Sequence, residues 1–353
     1  MAAPVVLVTG ASGYIGACVV KTLLEAGHKV RGTVRSLKDP AKVQPLYDLC
    51  PDAKHKLELV EADLTDENSW VEAVRGCTYV QHVASPFPSG TPKTEEEVIR
   101  PAVEGTLGVL RAATQVGGVK RIVLTSSCIS ISLCGGNKKP FTEKDWTDLS
   151  HKYATAYAKS KHLAEKAAWD YLKELPHGEK FELAVVNPAF VLGPPAAKSS
   201  GTSISTIQAI MMKAMPGLPH FYLNVCDVRD VATAHVECMN NPDAVGNRHI
   251  VYTGYIQLPA MGQILQKEFK SQGYDPLTKA VPNIATKILS WFNAETASRY
   301  VTLKDPMPFD NSRLRNVLKI EPIPIEKSLT DMVYKLVELG MLPKTPQYRG
   351  PSN

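Results

Sequence analysis

The chain has 353 residues, 44% of them apolar and 21% charged, a composition typical of globular proteins. Lysine and arginine exceed aspartate and glutamate by 40 to 35, and the basic residues are scattered, which argues against nucleic acid as a partner and is compatible with an anionic small molecule. No apolar run reaches the ~18 residues that span a bilayer, and the N-terminus lacks the features of a signal peptide, so we expect a cytoplasmic protein with no membrane partner.

The first half of the chain alternates short β-branched patterns, which predict strands, with longer helical patterns. The predicted strands are Val5–Thr9, Lys29–Val34, Leu57–Ala62, Tyr79–Val83, Arg121–Thr125 and Leu183–Asn187. The predicted helices are Tyr14–Ala26, 68–75, 95–116 and Tyr153–Leu175. This alternation predicts an α/β fold with a doubly wound parallel sheet, whose ligands bind at the C-terminal ends of the strands where the strand order reverses. We expect residues 1–190 to form this domain, with a later return at about 224–253.

Beyond Pro188 the regularity weakens and prolines cluster. We therefore expect residues 191–353 to form mainly a smaller, mixed α+β substrate lobe, interleaved with the first domain. A strongly amphipathic pattern at about 325–339 predicts a closing helix. The tail from Pro343 is rich in proline, lysine and glycine, and it is predicted to be loosely held.

A glycine-rich turn follows the first predicted strand directly. In the run Thr9–Gly16 the glycines are spaced G-x-x-G-x-x-G, and a predicted helix follows. Gly10 permits a sharp turn, Gly13 lets the backbone approach a pyrophosphate, and Gly16 lets the helix lie close to the strand. In this context the motif predicts a Rossmann-type dinucleotide site. Its expected members in the turn are Thr9, Gly10, Ser12, Gly13, Tyr14, Ile15 and Gly16.

The segment after the second strand distinguishes NAD from NADP. An acidic side chain there binds the adenosine ribose of NAD, whereas an arginine accommodates the 2′-phosphate of NADP. Residues 29–38 contain no Asp or Glu, and Arg35 stands where the phosphate partner is expected. Further candidates for phosphate contacts are Ser36, Lys38 and Lys42. We therefore predict NADP(H) as the cofactor.

Other predicted cofactor contacts lie at the ends of later strands. Asp63 and Leu64 follow the third strand, at a position that lies beside the adenine in a doubly wound sheet. Ala84 and Ser85 follow the fourth strand on the nicotinamide side, and Thr125 ends the fifth.

A Tyr-x-x-x-Lys pair carries the expected chemistry. Tyr157 and Lys161 lie on one face of a predicted helix, about one turn apart. A phenol with an ordinary pKa near ~10 is a poor acid at neutral pH, and we expect the nearby ammonium to lower the pKa of Tyr157. Tyr157 is the candidate proton donor and acceptor, and Lys161 a candidate ligand of the nicotinamide ribose. Ser127 is the candidate that polarises the substrate oxygen, with Ser126 as the alternative.

Neither cysteines nor histidines indicate a metal site. Three histidines considered as ligands, His82, His151 and His162, lack metal-ligand spacing, so no metal is predicted. The cysteines are odd in number and show no C-x-x-C spacing, which favours buried, reduced thiols and leaves a reactive cysteine as an alternative. They are Cys18, Cys50, Cys77, Cys128, Cys134, Cys226 and Cys238.

These motifs together resemble the extended short-chain dehydrogenases/reductases over nearly the whole chain. The run Thr9–Gly16 is similar to the family's T-G-x-x-G-x-x-G. Ser127, Tyr157 and Lys161 resemble its catalytic serine, tyrosine and lysine. The resemblance further implies that the segment after the sixth strand, with Pro188 and Val191, contacts the nicotinamide.

Within that family the chain is most similar to the dihydroflavonol reductase and cinnamoyl-CoA reductase branch, in segments such as 82–86, 99–108 and 164–169. This similarity implies NADPH as the reductant and a small-molecule carbonyl or alcohol as the substrate. The stretch Cys128–Ser132 lacks the N-W-Y-containing segment of cinnamoyl-CoA reductases, which argues against a thioester substrate. The neighbours of Asn137 match flavonoid reductases poorly, which argues against a flavonoid.

Two other functions fit the same fold. A nucleotide-sugar epimerase or dehydratase would retain NAD, but such enzymes usually carry an acidic residue after the second strand and an asparagine where Gly108 stands. A non-catalytic NADP(H)-binding regulator typically loses the Tyr-x-x-x-Lys pair, which this chain keeps. The oligomeric state is expected to be monomer or homodimer.

Overall fold

A computed structural model describes residues 3–86, 94–132, 140–151, 154–284 and 306–351. The larger sheet consists of β1 (Val5–Thr9), β2 (Lys29–Val34), β3 (Glu58–Glu61), β4 (Tyr79–His82), β5 (Arg121–Thr125), β6 (Glu182–Pro188) and β9 (Arg248–Val251). All its strands are parallel, in the order β3-β2-β1-β4-β5-β6-β9. The order reverses between β1 and β4, so the predicted doubly wound fold is confirmed. Three positions singled out in the sequence, Cys134, Asn137 and Tyr153, lie outside the described residues.

Helices cover both faces of this sheet. The helices of the described ranges are α1 (Tyr14–Glu25), α2 (Pro40–Tyr47), α3 (Glu67–Val74), α4 (Glu96–Val116), α5 (Ala156–Glu174), α6 (Thr202–Met211), α7 (Val228–Asn240), α8 (Leu258–Phe269), α9 (Ser312–Asn316) and α10 (Ile325–Glu338). One face packs against α1, α2 and α7, and the other against α3, α4 and α5. None of these helices is both long and apolar enough to cross a bilayer.

The strands are apolar on both sides because both faces are buried. In β1, Val6 and Val8 join the apolar cluster that includes α1, whereas Leu7 joins the cluster on the opposite face. In β6, Val186 and Val185 divide between the two clusters in the same way. A strand buried on both faces reads as a continuous apolar run, and this explains why β1 and β6 show no polar alternation in the sequence.

The second lobe contains a three-stranded sheet and extends the core on the α1 face. Its strands are β7 (Phe190–Leu192), β8 (Tyr222–Asp227) and β10 (Gly254–Gln257), with β8 in the centre. Within the return predicted at 224–253, α7 and β9 rejoin the larger sheet. Strand β8 belongs instead to the small sheet.

The prediction of a loosely held tail from Pro343 is wrong. The ring of Tyr348 packs against Tyr334 and Tyr274, with centroids 6.1 and 6.5 Å apart. The Thr345 hydroxyl donates to the Gln272 carbonyl, and the backbone N–H of residue 349 donates to the Gln272 side chain at 3.2 Å. The composition of the tail predicted that it would be mobile, but the packing of its aromatic ring next to the C-terminal end of α8 holds it in place.

Truncating the tail aromatic tests this packing. We expect Tyr348→Ala to lower the free energy of unfolding by about 2 kcal/mol, because a half-buried aromatic side chain loses its contacts. Tyr47→Ala, at an exposed position that ends α2, should change it by less than about 0.5 kcal/mol. Denaturant unfolding of both variants measures the difference, and equal effects would mean that the tail is not held.

Candidate active site

The glycine turn has the geometry that the motif predicts. Gly10 has φ +67°, where a side chain is strained, and its N–H donates to the Thr33 hydroxyl at 3.0 Å. A Cβ on Gly16 would stand 2.1 Å from the Gly10 carbonyl oxygen, so α1 approaches the turn more closely than any side chain permits. Gly13 is exposed at the N-cap of α1, and no described side chain caps this helix end. The free N–H groups of α1 are therefore available to an anion.

Thr9 joins β1 to β4 at the point where the strand order reverses. Its hydroxyl oxygen accepts the N–H groups of Val83 and Ala84, at 3.0 and 2.9 Å. Burial lowers the pKa of His82 to about 3, with a smaller contribution from Lys161, so this imidazole is neutral. Thr9 lies 2.9 Å from His82 Nδ1, and since its two acceptor sites are used, it donates to that nitrogen.

Other predicted members of the turn differ in how they face it. Ser12 and Ile15 are half-buried. The Tyr14 hydroxyl donates to the Gly193 carbonyl at 2.6 Å, and its side chain is buried against the second lobe. Tyr14 thus contributes its backbone to the turn, while its phenol ties the two lobes together.

On the side predicted to bind adenosine, the loop after β2 lies beside two carboxylates, Asp63 and Glu61. Arg35 is exposed after β2, and it contributes to lowering the pKa of Asp63, after the larger effect of the hydrogen bonds from Thr65. Glu61, at the end of β3, accepts the N–H of Leu37 at 2.7 Å. The prediction from residues 29–38 did not include Glu61, because Glu61 is distant in the sequence and only the pairing of β2 with β3 brings it beside this loop.

Two further candidates on this side have local partners. Lys42 pairs with Asp39 at 3.2 Å on the surface of α2. Leu64 packs against α4, where a Cβ on Gly105 would lie 2.9 Å from Leu64 Cδ2.

A small cleft at the ends of β4 and β5 brings together four of the predicted nicotinamide-side residues: Ala84, Ser85, Thr125 and Lys161. Lys161 Nζ donates to the Ser85 hydroxyl at 3.0 Å. Thr125 lies 2.8 Å from His235 Nε2; because His235 Nδ1 faces the Gln81 carbonyl oxygen, the Thr125 hydroxyl is the donor. The cleft is lined by Ala84, Ser85, Ala102, Thr106, Leu124, Thr125, Ser126, Lys161, Ala164 and Glu165.

Ser127 and Tyr157 lie next to each other and are not part of the lining of this cleft. Tyr157 is 42% exposed, yet desolvation around its hydroxyl raises the pKa, and a hydrogen bond with Ser127 opposes that effect. The expectation that Lys161 lowers the pKa of Tyr157 is wrong: the pKa is raised, and Lys161 points to Ser85. Burial lowers the pKa of Lys161 itself to about 8, and Glu165 partly opposes the shift.

The geometry separates the two serine candidates. Ser126 Oγ donates to the buried Glu165 carboxylate at 2.5 Å, so its hydroxyl is used in the interior. Ser127 Oγ accepts the Ile129 N–H at 3.2 Å and donates to the Pro188 carbonyl oxygen at 3.5 Å, and it lies close enough to Tyr157 to lower the pKa of that phenol. Val191 is buried in β7 with its side chain in the core.

Sequence reasoning missed Glu165, although it follows Lys161 by the same four-residue interval that links Lys161 to Tyr157. In the described ranges no group of three or more His, Cys, Asp or Glu side chains is arranged to bind a metal ion. The six described cysteines are free, and all but Cys50 are buried.

The sequence matches the NAD dependent epimerase/dehydratase family over residues 6–254. The chain belongs to this family. It is 36% identical to dihydroflavonol 4-reductase of Zea mays, over 75% of this chain and 74% of that protein. It is 35% identical to tetraketide alpha-pyrone reductase 1 of Arabidopsis thaliana, over 96% of both chains.

The structural comparison points to the same group. The fold superposes on Gre2 from Candida albicans in complex with NADPH with a TM-score of 0.77 and 29% identity, covering 95% of this chain and 99% of that one. Membership of the extended short-chain dehydrogenases/reductases, in the branch of dihydroflavonol reductase-like enzymes, is thereby confirmed.

The desolvated Lys161 predicts a pH-dependent stability difference. Because its folded pKa of about 8 lies below the ordinary 10.5, the unfolded chain binds more protons between these values. Lys161 therefore destabilises the protein fully below pH 8, and this cost is lost as pH rises toward 10.5. We expect Lys161→Met to raise the free energy of unfolding by about 2 kcal/mol at pH 7 and by much less at pH 9.5.

Lys173→Met, at an exposed position on the same helix, is the matched control and should show no such pH dependence. Denaturant unfolding at the two pH values measures both variants. A stabilisation by Lys161→Met that is equal at pH 7 and pH 9.5 would contradict the assigned pKa.

Proposed function

We propose that the protein is an NADPH-dependent reductase that converts a ketone or aldehyde to the alcohol, and that it also catalyses the reverse oxidation. The observation that carries the proposal is the convergence of the Ser127 and Tyr157 hydroxyls at the sheet edge where the strand order reverses. Lys161 lies one helical turn from Tyr157 on α5 and lines the cleft at the ends of β4 and β5.

The residues at the turn fit a dinucleotide. Gly10 and Gly16 allow the tight approach of α1, and the exposed Gly13 leaves room for a pyrophosphate beside free N–H groups. Arg35 is exposed at the end of β2 and suits a 2′-phosphate through paired N–H groups. Across the point where the strand order reverses, Ala84, Ser85 and the other residues that line the cleft suit the nicotinamide half of the dinucleotide.

When bound, the nicotinamide supplies the hydride for the carbonyl carbon. The Ser127 hydroxyl is placed to donate a hydrogen bond to the carbonyl oxygen, which polarises the bond. Tyr157 then gives that oxygen its proton. The raised pKa of Tyr157 keeps the phenol protonated at neutral pH, as a donor requires. Lys161 is mostly charged below its pKa of about 8, donates to Ser85, and is the residue that would hold the nicotinamide ribose.

A substrate screen tests the proposal directly. NADPH oxidation is followed with aldehydes, ketones, 2-dicarbonyls and flavonoid ketones, and NADH is run in parallel. We expect turnover of at least one carbonyl class with NADPH preferred. Purified protein that retains NAD and converts a nucleotide sugar would instead identify an epimerase or dehydratase.

Removing the phenol hydroxyl tests the acid–base role. We expect Tyr157→Phe to lower kcat by about 10²–10⁴-fold while NADPH still binds, because only the proton donor is lost. Tyr171 lies on the same helix as Tyr157, and its hydroxyl is bonded to Thr114 of α4. The control Tyr171→Phe removes that hydroxyl and should leave kcat unchanged. Equal activity of the two variants would remove Tyr157 from the mechanism.

The cofactor preference depends on Arg35. We expect Arg35→Ser to raise KM for NADPH by about 10–100-fold and to change KM for NADH far less, since a charge-assisted contact to the 2′-phosphate is lost. Arg75→Ser is the control, because Arg75 is exposed and pairs with Glu72. A wild-type enzyme that uses NADH as well as NADPH would refute the assignment.

A further inference from the structure

The buried ion pair of Glu165 on α5 and Arg248 on β9 lies behind the serine and lysine of the site. We propose that it is a positioning pair: it holds the Ser127 peptide in place, and it supplies a fixed negative charge behind Lys161. This inference rests on the proposed reductase function and assigns two more residues to its site.

Glu165 is a charged group in the interior, only 1% exposed. A buried carboxylate is tolerated when its oxygens are fully paired. Arg248 Nε donates to Oε1 at 2.5 Å and Nη2 lies 3.2 Å from Oε2. Oε2 also accepts from Ser126 Oγ at 2.5 Å and from Asn187 Nδ2 at 3.0 Å. The carboxylate thus gathers donors from β6, β9 and the end of β5.

Two of the side chains around Glu165 also contact the peptide that carries Ser127. Ser130 Oγ lies 2.7 Å from Glu165 Oε2 and 2.8 Å from the Ser127 carbonyl oxygen. Asn187 Nδ2 approaches that carbonyl oxygen at 3.3 Å. Ser126 and Ser130, which flank this peptide, are both bonded to Glu165. The position of the Ser127 peptide, and with it the placement of its side chain beside Tyr157, therefore depends on the Glu165 carboxylate.

Arg248 extends this network to the segment 140–151, which precedes α5 in the chain. Its Nη1 donates to the carbonyls of Asp145 at 2.6 Å and Glu143 at 3.2 Å. Its guanidinium lies 3.9 Å from the ring centroid of Trp146. One guanidinium thereby links the serine peptide, α5 and the segment that leads into α5.

Glu165 is also the negative charge behind Lys161, one helical turn away. It favours the ammonium and so opposes the desolvation that lowers the pKa of Lys161 to about 8. The groups around them are His82 on β4, Tyr157 and His162 on α5, Arg248 on β9, and Cys128 after β5.

These neighbours do not titrate near pH 8. Burial lowers the pKa of His82 to about 3 and also lowers that of His162. Burial raises the pKa of Tyr157 and of the Cys128 thiol. Lys161 is therefore the group whose titration should respond to loss of the Glu165 charge in this range.

A direct titration separates this role from simple packing. The protein is labelled with [ε-¹³C]lysine, without cofactor, and the Lys161 signal is identified by its loss in Lys161→Arg. We expect Glu165→Gln to lower the pKa of Lys161 by about one pH unit, because an opposite charge is removed. Glu165→Asp keeps the charge and should leave the pKa close to that of the wild type. An unchanged pKa in Glu165→Gln would overturn the electrostatic role.

Kinetics test the positioning role, with a matched ion pair as the control. Arg121 and Glu182 form a second pair with a buried arginine, at the start of β5 and β6 and thus at the opposite sheet edge. We expect Glu165→Gln and Glu165→Asp to lower kcat by about 10–100-fold with little change in KM for NADPH, since displaced catalytic groups slow the chemical step. Arg121→Gln should lower stability and leave kcat unchanged. Equal kcat in all three variants would make the Glu165 pair purely structural.

The result remains decisive if Glu165→Gln does not fold, because the double variant Glu165→Gln/Arg248→Met removes both charges of the ion pair and does not leave Arg248 unpaired. The double variant should show the same lowering of the Lys161 pKa and the same decrease in kcat. The titration requires no turnover, so absence of carbonyl reduction by the wild-type enzyme would refute the proposed function without deciding the role of Glu165 toward Lys161.

Discussion

The site depends on the close approach of α1 to the turn that follows β1. A Cβ on Gly16 would lie 2.1 Å from the Gly10 carbonyl oxygen, and Gly10 itself adopts φ +67°. Glycine alone meets both conditions. The approach places the uncapped end of α1 over the sheet edge where the strand order reverses, the edge at which Thr9 and the cleft residues lie.

Around this point, hydroxyl side chains at the strand ends are bound to buried partners. Thr9 at the end of β1 binds His82, Thr125 at the end of β5 binds His235, and Ser126 binds Glu165. These contacts satisfy polar groups that lie out of reach of water, and they tie neighbouring strands and helices together. They also leave Ser127 as the hydroxyl that faces Tyr157. These hydrogen bonds hold the residues around Ser127 in place, and such support by neighbouring side chains is the condition for precise positioning of a site.

Charge in this site is held at a cost to stability. Lys161 is 9% exposed, and its desolvation lowers the pKa to about 8, so the folded protein carries a poorly hydrated ammonium at neutral pH. Glu165 offsets part of this cost, and Arg248 in turn keeps the Glu165 carboxylate paired. Such local conflict between stability and chemistry is expected where a fold supports catalysis.

The sequence by itself determined the parallel sheet, the bounds of β1, β2 and β5, the glycine turn and the Tyr157–Lys161 pair, because local periodicity and spacing encode them. Only the tertiary structure decided that Glu61 joins the loop after β2, that Ser126 turns inward, that Tyr348 fixes the tail, and that Glu165 meets Arg248. These last contacts join residues far apart in the chain, and whether a polar side chain faces the interior or the site depends on partners that no local pattern specifies.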